Sequence, residues 1–390
     1  MRAILAGAAG LTLLLAAAPA GARPDPAPVI GGTDVPAGRW VDTAALLYAT
    51  NQGDSAECTG VLIAPSVVLT AAHCVFDDGL LTPPRRVWIG TNSLAHPERG
   101  EDLPVQDARY HPGVFDLAVV LLARPSQLPP RRLATGWVRS DVVDGARVAL
   151  AGYGAIDRDA VDYVDELREA ESTITDAGCA RSAGCEPGAR PDGELGAGGM
   201  GVDTCPGDSG GPLYLLTPYG EFLAGITSRG YDDNLYYCSE GGIYVRPDKD
   251  ELVAWIEQTA GVALPVGRGP RALEPIVVEV GETVTVALDA DDPRAGTVHA
   301  WEIVGAPALG VATVDAAGVL TYAAGDRPGT EAVTVRASDS QASGRSAQGR
   351  ITVEVVDAGC CRAGPAGGRV WPAVVVLAMI LRRRRRTMTA

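Results

Sequence analysis

The sequence predicts an all-β protein built in two blocks, and three observations carry that prediction. Short apolar or alternating runs bounded by Gly, Pro and Asp recur through residues 40–150, the pattern of short strands joined by turns. After a Gly-Pro-Arg stretch at 262–274 the same alternation resumes and continues to residue 357. Between the blocks stands one helical pattern, Pro247 to Gly261. It has acids in its first turn, Leu252, Trp255, Ile256 and Thr259 on one face, and Gly261 to stop it. A chain of 390 residues, 46% hydrophobic, is long enough to bury more than one core.

Taken from the start, Met1-Arg2 followed by the Ala/Leu-rich run Ala3 to Ala18 predicts a signal peptide over residues 1–22, with small-residue cleavage options after Ala20 or Ala22. Its apolar core is too short, and too poorly flanked, for a transmembrane helix. Export places the chain where disulfides persist. Residues 23–28, Arg-Pro-Asp-Pro-Ala-Pro, form a short Pro-rich propeptide of three X-Pro dipeptides. Strands are expected at Thr43–Ala49, Val61–Thr70, Arg86–Gly90, Leu117–Ala123 and Ala146–Gly152.

The chemistry concentrates at residues 203–212, Asp-Thr-Cys-Pro-Gly-Asp-Ser-Gly-Gly-Pro. Ser209 stands there among glycines that admit close backbone approach. A serine hydroxyl is a weak nucleophile at neutral pH; it needs a base beside it and backbone N–H donors aimed at the oxygen that becomes negative. Only four histidines exist. His96 and His111 precede prolines, and His299 lies in the second block. His73, in Leu69-Thr-Ala-Ala-His-Cys74, follows the β-rich run Val61–Leu69 that carries it to a strand end. Asp116, in Phe115-Asp-Leu-Ala-Val-Val-Leu-Leu122, leads an almost wholly apolar run, where an acid needs a partner.

Those three motifs, in the order His, Asp, Ser, resemble the trypsin-like, chymotrypsin-fold serine proteases over residues 29–261. The resemblance implies two packed antiparallel β-barrels, with Pro129-Pro130-Arg131-Arg132 as the crossover, and the 247–261 helix against the second barrel. It implies His73 as base, Asp116 as its orienter, Ser209 as nucleophile, and the N–H groups of Gly207 and Ser209 as the oxyanion hole. Asp203, six residues before Ser209, matches the acid at the base of the primary pocket and favours Arg or Lys in the substrate. Ser228-Arg229-Gly230 matches the segment that pairs with substrate backbone, and Gly242 the opposite wall. Two glycines are expected to leave the pocket open. Arg229 replaces an aromatic residue common at its position, which bears on preferences beyond that pocket. Nearby Asp232 and Asp233 are either an attraction for basic peptides or plain solvated surface.

The same resemblance pairs Cys58 with Cys74 and Cys205 with Cys238. Gly196-Ala197-Gly198 stands where the family often carries another cysteine, which leaves Cys179 and Cys185 to bridge each other. The Gly-rich stretch 193–201 is expected to order on activation. In the family, a freed amino terminus matching Val29 pairs with an aspartate matching Asp208 and shapes the pocket. Pro28 before that site, in place of Arg or Lys, argues against tryptic self-activation. Three readings remain open for the leader: stepwise removal of X-Pro dipeptides after cleavage at Ala22, a single endoproteolytic cut by an activating peptidase, or a polyproline-II spacer.

The second block, 275–357, has alternating runs at Ile276–Val280, Thr283–Leu288, Val298–Ile303, Val319–Tyr322, Ala332–Ala337 and Gly349–Val356, as in a small immunoglobulin- or cadherin-like β-sandwich. Asp289, Asp291 and Asp292 offer oxygen atoms to calcium but lack a clear ligand pattern and read as an acidic turn. No other cofactor or metal is implied. The tail, 358–390, carries Cys360-Cys361, an apolar run Val370–Leu381 interrupted by Pro372, and Arg382 to Arg386. That run is shorter than the roughly 20 residues a spanning helix needs. The layout resembles C-terminal sorting signals of myxobacterial type, which implies sorting machinery and surface display; a weak permanent anchor is the other reading. A net charge of −15 gives no electrostatic case for nucleic acid. The function read from the chain is an exported endopeptidase acting on protein or peptide substrates after Arg or Lys. Its rival is a protease-fold binding or adhesion protein without turnover.

Overall fold

The computed structural model describes residues 29–264, 275–290, 292, 297–340 and 346–357, apart from 78 and 219. The leader 1–28, most of the linker, Asp291, and the tail with Cys360 and Cys361 lie outside the described residues.

Six strands form the first barrel: β1 (Thr43–Thr50), β2 (Gly53–Ala64), β3 (Val67–Thr70), β4 (Arg86–Ile89), β5 (Glu101–Tyr110) and β6 (Ala118–Leu122). They close in the order β1-β2-β3-β6-β5-β4. The expected single strand Val61–Thr70 is two strands. Pro65, which has no N–H for a ladder, starts a turn, and Val61 and Leu69 become antiparallel partners. Alternation along β1 then serves two cores. Ala44 and Leu46 join Leu62, Val87 and Leu103 inside the barrel, while Ala45 and Leu47 join Ile63, Leu69 and Tyr214 in the layer between barrels.

The second barrel comprises β7 (Arg147–Gly152), β8 (Arg168–Asp176), β9 (Glu194–Ala197), β10 (Pro212–Thr217), β11 (Gly220–Gly230) and β12 (Gly242–Val245). It closes because β8 pairs both with β7 and with β9. The stretch 193–201 supplies β9, paired residue for residue with β12. Its four residues are all buried, Leu195 and Ala197 in the second barrel's core.

The crossover is tied to both barrels. Arg131 N–H donates to the Leu62 carbonyl (2.8 Å) and Leu223 N–H to the Arg132 carbonyl (2.9 Å). The Arg131 guanidinium pairs with buried Asp42 at 2.7 Å, and Tyr214 Oη donates to the same carboxylate at 2.7 Å. Helix α1 (Asp250–Ala260) buries Leu252 and Ile256 in the inter-barrel layer and ends at Gly261, whose φ of 66° is the left-handed region glycine tolerates.

Seven strands make up the second block: β13 (Ile276–Glu279), β14 (Thr283–Ala287), β15 (His299–Val304), β16 (Gly310–Val314), β17 (Val319–Ala324), β18 (Gly329–Asp339) and β19 (Ser346–Val356). They form two sheets, β13-β19-β18-β15 and β14-β17-β16, which share a core of Val278, Leu320, Tyr322, Val335 and Val353. Strand β16 escaped the sequence reading; its Val311 is 65% exposed, and only the small Ala312 of this strand packs on the core. Fully buried Trp137, from the first block, packs with Trp301, Ala337 and Ala347 of the second, and Arg350 pairs with Glu257 at 3.2 Å. Asp292 accepts a hydrogen bond from His299 Nε2 at 3.2 Å.

Candidate active site

The three motif residues arrive from different elements. His73 lies on a one-turn 3₁₀ segment, Ala72–Cys74, just beyond β3. Asp116 sits two residues before the apolar start of β6. Because β3 and β6 are paired neighbours, Thr70 opposite Ala118, both side chains emerge at the same barrel end. Asp116 Oδ1 accepts the His73 backbone N–H at 3.0 Å, and Oδ2 lies 2.8 Å from His73 Nδ1. Two contacts fix both the ring position and the tautomer that leaves Nε2 as base.

Burial is the largest single influence on His73 and opposes its charge. The hydrogen bond and charge of Asp116, with Asp77 further off, together outweigh it and hold the imidazole above its ordinary value of 6.5. Burial also opposes charge on Asp116, but His73 and the Ser228 hydroxyl hold that carboxyl below its usual range. The imidazole must be neutral to act as base, so kcat/KM is expected to fall on acidification through an apparent pKa above that of free histidine. Asp116→Asn should lower the rate by about 10⁴-fold and shift that fall to lower pH. A pH–rate profile reads both.

Ser209 reaches the site on the turn between Cys205 and β10. Its carbonyl accepts the Thr59 N–H from β2 at 2.9 Å, which locks the turn onto the first barrel. Gly210 allows that approach: a Cβ there would stand 1.9 Å from Thr70 Oγ1. Gly207 has φ of 99°, and a Cβ on it would stand 2.8 Å from Gly154 Cα. Its carbonyl accepts from Thr59 Oγ1 at 2.9 Å, which ties the turn to β2. Disulfides Cys58–Cys74, Cys179–Cys185 and Cys205–Cys238 are all formed. The first braces His73 and the third braces the Ser209 turn. Two groupings of metal-ligating residue types involve these bridges, Cys58/His73/Cys74 and Cys179/Cys185/Glu194. Bridged sulfurs are not thiolate ligands.

Asp208 is fully buried, cradled by glycines: a Cβ on Gly152 would lie 2.1 Å from its Oδ1. It accepts N–H bonds from Gly154 (2.7 Å) and Cys205 (2.8 Å). Burial raises its carboxyl to about 7 against those bonds, and the charge of Asp203 adds to the rise. Val29 is 1% exposed and lies in the second barrel's core. Ile30 bridges to Asp203, bringing the chain's first described residues beside the pocket acid.

Asp203 is buried, and burial raises it to about 6 despite four backbone N–H bonds. Ser239, Glu240 and Gly241 donate to Oδ2 at 2.9–3.1 Å, whereas Oδ1 takes only the Thr204 N–H at 2.8 Å. Oδ1 therefore retains capacity for a cation. Gly198 and Gly242 line it closely, since a Cβ on either would stand 3.5 or 3.7 Å away, at ordinary contact distance. Gly230 differs from expectation. The space its missing side chain leaves is occupied by Asn234, whose Nδ2 would be 3.0 Å from a Cβ there and which donates to the Gly241 carbonyl.

Sequence reasoning missed two partners. Ser228 was read only through its backbone, yet its hydroxyl donates to Asp116 Oδ2 at 2.7 Å. Glu194 was not singled out, yet its 1%-exposed side chain pairs with Arg229 at 2.8 Å. The one available signal was chemical: an arginine in place of a common aromatic residue needs an acid. Asp232 and Asp233 are exposed.

A family model described as Trypsin matches residues 29–256. Human "Serine protease 56" is 35% identical over 243 residues, 56% of this chain but 36% of that protein, so the chain spans about a third of that relative. "Glucanase inhibitor protein 4" of Phytophthora infestans is 33% identical over 212 residues, 52% of this chain and 79% of that protein. A solved mouse neuropsin, titled a serine protease expressed in the limbic system of mouse brain, covers 58% of this chain and 98% of its own at 26% identity, with a TM-score of 0.47. With a family match over more than half its length, and with His73, Asp116 and Ser209 carried on two closed barrels, the chain belongs to the trypsin family of serine proteases.

Proposed function

We propose that this protein is an exported serine endopeptidase that cleaves peptide bonds after Arg or Lys. The observation that carries the reading is the paired His73–Asp116 couple at 2.8 Å beside the Ser209 turn. His73 takes the Ser209 proton as Oγ attacks the scissile carbonyl, then gives it to the leaving amine; water reverses the steps on the acyl-enzyme. The N–H groups of Gly207 and Ser209 hold the oxyanion. The reaction needs no cofactor. Substrate Arg or Lys would bring its cation to Asp203 Oδ1, and Ser228, Gly230 and Gly242 would flank it.

Release of Val29 by an activating peptidase would bring an amino-terminal cation to Asp208. The two C-terminal sheets would form an immunoglobulin-like module, and Cys360-Cys361 with the arginine cluster would direct the chain to the cell surface through sorting machinery. No helix among the described residues is long and apolar enough to cross a membrane. A second reading, a protease-fold binding protein, is favoured by relatives named as glucanase inhibitors.

Paired peptides with Arg or Phe before the scissile bond distinguish these, using protein made to start at Val29. Arg cleavage that Asp203→Ser lowers by about 10²-fold or more supports the reading. Phe preference would overturn the pocket assignment, and absence of turnover in folded protein would favour the binding reading.

A further inference from the structure

Arg229 belongs to β11 next to a register shift, and its guanidinium is held at three points. Nη2 pairs with Glu194 Oε1 (2.8 Å) and donates to the Gly184 carbonyl (2.7 Å). Nη1 donates to Ser228 Oγ at 3.0 Å. Glu194 is itself anchored, its Oε2 taking the Glu186 N–H at 2.8 Å. Gly184 lies in the loop closed by Cys179–Cys185. The arginine fork is therefore fixed from behind by a buried acid and a disulfide-closed loop, and its one remaining bond points toward His73 and Asp116.

That last bond has a consequence set by valence. A serine hydroxyl carries one proton. An Arg229 N–H donates to one of the two lone pairs of Ser228 Oγ and holds that oxygen in place, while the acceptor-only carboxylate oxygen Asp116 Oδ2, 2.7 Å away, takes the hydroxyl proton. Asp116 Oδ2 in turn faces His73 Nδ1. We infer that Arg229 is a positioning residue for the triad: it fixes the Ser228 hydroxyl as a donor to Asp116 and places a cation one hydroxyl away from that carboxylate. The inference rests on reading His73, Asp116 and Ser209 as the triad.

The charged groups facing this chain of bonds are Asp116 and Asp77 near His73, Glu194 behind Arg229, and Asp232, whose Oδ1 would lie 2.6 Å from a Cβ on Gly184. Arg229 is the cation among them. It favours the Asp116 carboxylate and disfavours the imidazolium, so its loss lets His73 hold its proton to higher pH.

The test compares protein starting at Val29 with Arg229→Met, Arg229→Lys and the double variant Arg229→Met/Glu194→Gln. Two readouts are used: kcat and KM against pH on a short arginyl ester, and the His73 imidazole titration followed by NMR. Arg229→Met should raise the His73 pKa by about half a unit or more and lower kcat with KM little changed. Arg229→Lys should return the pKa toward the starting value, and the double variant, free of a bare buried acid, should keep the upward shift. An unchanged His73 titration in folded Arg229→Met protein, with the loss confined to KM, would make Arg229 a substrate-contact residue and overturn the inference. A shift that disappears in the double variant would assign it to uncompensated Glu194 and overturn it equally. The NMR readout needs no turnover, so a failure of the protease reading shows as no hydrolysis by any form and is separable from a failure here.

Discussion

Ser209→Ala is expected to lower kcat/KM on an arginyl peptide by about 10⁴- to 10⁶-fold with thermal stability nearly unchanged. Ser209 is tied to the fold through its main chain. The carbonyl accepts from Thr59 N–H at 2.9 Å and is approached by Cys74 Sγ at 3.6 Å. Removing the hydroxyl oxygen leaves these contacts, the Gly210 approach to Thr70 and the His73–Asp116 pair in place. What disappears is the atom that forms the acyl bond, and oxyanion donors alone cannot replace it. Parallel measurement of kcat/KM and melting temperature decides the matter. A variant that melts normally and retains full turnover would remove Ser209 from the chemistry.

Release of the chain start at Val29 is expected to raise kcat/KM by about 10²- to 10³-fold, the usual worth of an oxyanion donor brought into line. In the cleaved protein, Asp208→Asn should lose a comparable factor. The physical basis is the buried Asp208, raised to about 7 by its desolvation and by the charge of Asp203. A carboxyl whose folded pKa exceeds its unfolded value of 3.8 contributes stability at acid pH and loses it as the pH rises through about 7, because the unfolded chain ionises first. An ammonium at Val29 would lower that folded pKa and remove the loss. The melting temperature of the cleaved form should therefore exceed that of the full-length form by a margin that widens from pH 5 to pH 8, and Asp208→Asn should remove the widening. Calorimetry of the four proteins checks this. A margin independent of pH would separate Val29 from Asp208.

Much of the site was legible because its signals are local. His73, Asp116 and Ser209 each sit in a short stretch whose composition makes no sense as ordinary strand or turn: a histidine closing a β-rich run, an acid opening an apolar one, a serine among glycines. Most of the first barrel's strands, and the first strand of the second, were legible as short apolar or alternating runs, and the run Val61–Thr70 is two strands because Pro65 folds it. Long-range partners were not. Ser228 meets Asp116 across 112 residues. Arg229 finds Glu194 because β11 shifts register between Thr227 and Arg229 while β9 and β12 pair without a break. Asp203 is met by the 239–241 backbone, and Asn234 fills the space beside Gly230.

By itself, then, the amino-acid sequence determined the residue types that do the chemistry and their order along the chain, since nucleophile, base, acid and cysteines are properties of side chains and short motifs. Which groups hold them in place was decided only by the tertiary structure. Hydrogen bonds and ion pairs form between atoms within about 3 Å, and closing two barrels at a given register is what brings residues a hundred positions apart to that distance.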